Sequence, residues 1–82
     1  MNTDELIIMI NSLDRLLDFN ELVDKAKDIC NNFAVKSHCQ STFLIDKENN
    51  FLAEVYSKEV SVFVAINRRY NKNIIILYAI EK

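Results

Sequence analysis

The chain contains no glycine and no proline in its 82 residues. Both common phosphate-cradling loops need glycine where the backbone approaches a ligand or takes a conformation that a Cβ penalises, so P-loop and dinucleotide-fingerprint chemistry are excluded. We expect every chain reversal to fall instead to Asn, Asp, Ser or Lys, of which asparagine tolerates positive φ best.

Long hydrophobic runs are missing as well. No stretch approaches the roughly 18 apolar residues of a membrane span, and the opening MNTDELIIMI carries acid where a secretory signal carries base. We therefore expect a cytoplasmic protein with no membrane partner. Cysteine is scarce: Cys30 and Cys39 are too few for a disulfide scaffold and are expected to be reduced, structural thiols. Charge of one sign is also scarce, with ten bases and twelve acids giving a formal net charge of -2. Residues 1–34 hold seven acids against three bases and residues 35–82 hold seven bases against five acids. Such a weak charge dipole has too little acid for a DNA mimic and leaves only a thin basic footprint.

Half of the residues are apolar, which suits a single domain over residues 1–82 near the lower size limit for folding alone. Residues 1–34 read as helical. Asn2 and Glu5 have capping-box spacing, and Leu6, Met9, Ile10, Leu13, Leu16 and Leu17 follow at helical intervals, with Ile7 and Ile8 widening the stripe. A second start signal lies at Asp18, with Glu21 three residues on and Leu17 and Leu22 as a hydrophobic staple. Phe19, Leu22, Val23, Ala26, Ile29, Cys30 and Phe33 then share one face. Two helices are favoured over one long bent helix, and Asn31 and Asn32 are expected to help end the second.

From residue 41 the period changes to alternation and the residues become β-branched and aromatic. STFLID, FLAEVYS, VSVFVAI and IIILYAI read as strands spanning residues 41–80. Asn49 and Asn50 suit a tight hairpin, SKE a second short turn, and NRRYNKN a longer loop. The expected fold is α+β: two N-terminal helices followed by a four-stranded antiparallel meander.

The last two strands are apolar on both faces. Helices cover one side of the sheet, and a chain this short holds nothing further for the other. Burying a Leu or Ile side chain is worth roughly 1.5–3 kcal/mol, so a second polypeptide is the expected covering. We expect a homodimer that also binds another protein, as small chaperones, antitoxins, inhibitors and regulators do. Phe63, Ala65, Ile75, Leu77 and Ala79 are the expected outward residues, with Ile7 and Ile8 next.

Conventional chemistry is poorly represented. His38 and Cys39 are adjacent, so in extended chain their side chains diverge, and with Cys30 they make three ligands where zinc needs about four. Asp46, Glu48, Glu54 and Glu59 fall on turns or a solvent-facing position and form no catalytic pair. We expect no enzyme activity, no metal and no cofactor. The densest basic stretch, Arg68, Arg69 and Lys72 around Tyr70, could hold a phosphate backbone while the ring stacks on a base, which makes nucleic acid the runner-up partner.

Two resemblances accompany these readings. LLDFNELVDKAKDICNNF followed by STFLIDKENNFLAEVY resembles the opening of GAF sensor domains, which implies small-molecule sensing. VSVFVAINRRYNKNIIILYAIEK is similar to the last strand pair of RelE-type ribonuclease toxins, which implies that Arg68, Arg69, Tyr70 and Lys82 bind or cut RNA.

Overall fold

A computed structural model describes all of residues 1–82. Its helices begin where short polar side chains can accept from the free amides of a first turn. Asn2 accepts from the Glu5 N–H at 3.3 Å and opens α1 (Thr3–Asn11). Asp18 accepts from the Asn20 N–H at 3.2 Å and opens α2 (Phe19–Lys36). Each such cap is worth about 1 kcal/mol. Glu5 does not complete a capping box; its carboxylate pairs with Lys36 of α2 at 3.2 Å, joining the two helices at the surface.

The second helix runs five residues beyond Asn31, correcting the expectation that the asparagine pair helps end it. Its end is a Schellman closure: the His38 N–H donates to the Val35 carbonyl at 3.4 Å and the Cys39 N–H to the Ala34 carbonyl at 2.9 Å. That geometry requires a left-handed residue, usually glycine. Here His38 supplies it with φ of 54°.

Four strands follow: β1 (Gln40–Lys47), β2 (Asn50–Tyr56), β3 (Val60–Arg69) and β4 (Lys72–Glu81). They form one antiparallel sheet in the order β1-β2-β3-β4, which is the expected α+β meander. Leu44 is an extra residue in β1, and the register shifts between Phe43 and Ile45. The expected long loop between the last strands is instead a two-residue turn. Tyr70 and Asn71 both take positive φ, 52° and 60°, as a type I′ turn demands. Its twist matches the right-handed twist of the strands, so β3 and β4 stay paired to their ends at Arg69 and Lys72.

The core lies between the helices and one face of the sheet. Leu6 and Ile10 of α1 and Leu22, Ala26, Cys30 and Phe33 of α2 bury against Phe51, Ala53 and Val55 of β2 and Val62, Val64 and Ile66 of β3. Lys27 of α2 bonds Asp46 of β1 at 2.6 Å and sits over the Phe43 ring, closing one side of this layer. No helix is long and apolar enough to cross a membrane.

Candidate interaction face

Strand residues alternate between faces, so the neighbours of the core positions point away from the helices. On that open face lie Leu52, Glu54 and Tyr56 of β2, Phe63 and Ala65 of β3, and Ile74, Ile76, Tyr78 and Ile80 of β4. No element of the chain packs over them. Ile74, Ile76, Tyr78 and Ile80 are each between 42% and 50% exposed, a continuous apolar row along the strand. Phe63 and Tyr78 are directly paired across β3 and β4, and their rings stack with centroids 4.9 Å apart. Cross-strand aromatic pairs of this kind contribute up to about 1 kcal/mol.

The face is graded rather than uniform. Apolar side chains concentrate on β3 and β4, whereas Thr42 and Glu54 occupy the middle of the β1 and β2 side. Charges otherwise sit at the strand ends. Lys47, Arg69 and Lys72 lie at one end, and Lys82 is at the other, its ammonium 5.2 Å over the Tyr56 ring and bonded to the Ser57 carbonyl at 3.0 Å.

β4 is also an edge strand. The Lys82 N–H donates inward to the Glu59 carbonyl at 2.8 Å. Antiparallel backbones alternate direction residue by residue, so the amides of Ile75, Leu77 and Ala79 point to the free edge.

Of the five outward sheet residues expected from the sequence, two are on this surface. Phe63 and Ala65 lie on the open face as expected. Ile75, Leu77 and Ala79 do not: they share the helix side of β4, where Ile75 and Leu77 pack against the core and Ala79 remains exposed. The correction follows from turn length. A two-residue turn pairs odd-numbered residues of β3 with even-numbered residues of β4, so Phe63 opposes Tyr78 and Ala65 opposes Ile76. A loop one residue longer would have put Ile75, Leu77 and Ala79 outside. On α1, Ile8 is 64% exposed and Ile7 is half-buried, away from the sheet's open face.

The basic segment is partly committed to structure. Arg68 donates to the Asn73 side-chain oxygen at 3.0 Å, and Asn73 donates in turn to the carbonyls of Arg15 and Leu17. Arg69, Tyr70 and Lys72 remain exposed at the turn. Lys82 is ten residues along a strand from Lys72, about 33 Å away, so the residues that a RelE-like site would combine are not brought together.

His38 and Cys39 likewise stay apart in role. His38 is exposed at the helix end, while Cys39 is half-buried against the core. Burial pushes the Cys39 thiol up from its ordinary range, with the N-terminal ammonium and a backbone hydrogen bond opposing the shift. Both residues border an open cleft of about 630 Å³ that also includes Met1, Tyr56 and Lys82. No three His, Cys, Asp or Glu residues cluster closely enough to hold a metal ion. Comparison with family models, curated proteins and solved structures finds no match for this chain, and so lends no support to either family resemblance.

Proposed function

We propose that this chain works by binding protein on the open face of its sheet. The observation that carries this reading is the uncovered row Ile74, Ile76, Tyr78 and Ile80, extended sideways by the stacked Phe63. Leaving such a row in water forgoes several kcal/mol of burial at roughly 25 cal/mol per Å². Contiguous exposed apolar surface on a small domain marks an interaction site or an aggregation hazard. Two free thiols, one fully buried, accord with a protein working in the cytoplasm, which we include in the proposal.

The test is photocrosslinking in cells. A benzophenone amino acid placed at Ile76 should give protein adducts that the same group at Asp24, on the exposed side of α2, does not. Equal labelling from both positions would remove the open face as a binding surface.

A second reading rests on Tyr70, 95% exposed at a turn between Arg69 and Lys72. An aromatic tip flanked by cations can stack on an unpaired base. Arg69→Glu with Lys72→Glu should then abolish binding to single-stranded RNA at low salt; no measurable affinity in the wild type would dismiss it.

A further inference from the structure

We infer that the occupant of the open face is a second copy of the chain, packed sheet on sheet with β4 of each protomer over β4 of the other, antiparallel. This deepens the protein-binding reading and rests on it. Three observations support self-pairing in that orientation.

The first is area. At about 4.8 Å between strands and about 3.3 Å per residue, strands of 8, 7, 10 and 10 residues give a footprint of about 550 Å² per protomer, so about 1,100 Å² in all, which clears the roughly 1,000 Å² that a specific interface needs. The whole molecule measures only 36 × 19 × 16 Å, so one protomer offers a face of matching size to the other.

The second is the gradient across the face. Two-fold axes in the plane between packed sheets can run along the strands or across them. An axis along the strands lays β1 over the partner's β4 and β2 over its β3, which sets Thr42 and Glu54 against the partner's Tyr78 and Phe63. An axis across the strands lays β3 and β4 over their own copies, apolar on apolar, and sets Glu54 over the partner's β2, in the polar half of the face with Thr42. Sealing an unpaired carboxylate against aromatic and aliphatic side chains costs several kcal/mol, whereas a polar half of an interface can keep bridging water, so the second arrangement is favoured.

The third is charge at the ends. With the axis across the strands, the basic end holding Arg69 and Lys72 lies over the end holding Glu59, Glu81 and Lys82, which is close to neutral. With the other axis, the two basic ends meet. Like charges placed together disfavour that alternative.

Pairing of β4 edges is the competing self-association. It would extend the sheet to eight strands but leave the apolar row uncovered in both copies. The two modes depend on different atoms: face packing on the side chain of Ile76, and edge pairing on the outward amide of Ala79.

Sedimentation of the full chain over a concentration series up to high micromolar tests the inference. We expect a dimer whose dissociation constant rises about 30-fold or more in Ile76→Lys and is unchanged in Ala79→Pro, which removes an outward donor without touching the ladder to β3. Tyr78→Glu repeats the test should Ile76→Lys fail to fold by circular dichroism. In purified protein, the benzophenone at Ile76 should crosslink to β4 of the partner copy. A dimer lost in Ala79→Pro but kept in Ile76→Lys overturns face packing. A monomer throughout overturns self-pairing; cellular adducts at Ile76 to another polypeptide would then leave the protein-binding reading standing, and their absence would remove both.

Discussion

The side chain of Asn73, on β4, donates to the backbone carbonyl of Leu17 at 2.6 Å, across the layer that separates the sheet from the connection between the helices. The same amide donates to Arg15 at 3.0 Å and its oxygen accepts from Arg68 at 3.0 Å. Asn73 is only 7% exposed, and its three hydrogen bonds use both donors and one of the two acceptor sites of a polar group that has little water to fall back on. It fixes the path of residues 12–18, and with it the angle at which α1 meets the core.

Asn73→Leu should therefore destabilise the chain by about 1–3 kcal/mol, since the carbonyls and Arg68 lose a partner in a half-dry site. Chemical denaturation gives the magnitude. Hydrogen exchange should localise it, with α1 losing protection before α2. Equal loss of protection in both helices would argue against a specific anchor.

His38→Gly should raise stability by about 1 kcal/mol, because a side chain at φ of 54° bears a left-handed penalty that glycine escapes. In a domain this small that gain moves the melting temperature up by about 4–8 °C. His38→Val, β-branched at the same φ, should lower it. An unchanged melting temperature in both would mean that the helix ends by another route in solution.

The turn between β3 and β4 offers a related measurement. Tyr70→Asn with Asn71→Gly installs the pair that type I′ geometry favours and should add about 1 kcal/mol. The substitution also removes the exposed ring. A more stable protein that has lost affinity for single-stranded RNA would separate the ring's binding role from the turn's folding role.

Cys30 sets a dependence on alkaline pH. Complete burial pushes its thiol up from 9.0 to about 11, because the thiolate would be desolvated. The folded state thus keeps its proton where the unfolded state has lost it. This contribution is complete below pH 9 and is lost as pH rises toward 11, about 2–3 kcal/mol in all. Cys30→Ala should be less stable than wild type at pH 8, and the gap should narrow by pH 11. At neutral pH a disulfide reagent should label Cys39 in the folded protein and reach Cys30 only on unfolding.

Much of this fold was legible because its signals are local. Asn2 and Asp18 mark helix starts through single side-chain bonds, and the alternation from Thr42 to Ile80 needs no distant partner to be recognised. The end of α2 was not, since a histidine does not advertise positive φ and the asparagines before it remain comfortably helical. The facing of β4 was not legible either. Alternation identifies inside from outside only when one phase is polar, and in Ile74 to Ile80 neither is. The decision passed to the turn, where reading Tyr70 and Asn71 as two residues of a seven-residue loop concealed the parity that sets which side chains meet Phe63. Glu54 was the one clear outward marker, and it sits on β2, away from the apolar half of the face.

The double-sided character of β4 has a further consequence for how the strand finds its place. A shift of one residue along β3 would exchange Ile74, Ile76, Tyr78 and Ile80 for Ile75, Leu77 and Ala79, apolar for apolar, where most strands would drive polar groups into the core. Hydrophobicity gives little guidance here, and correct alignment is delegated to two asparagines, Asn71 in the turn and Asn73 beside it. A chain without both should fold into two slipped populations, visible as doubled amide signals from β4 and a single set from α2.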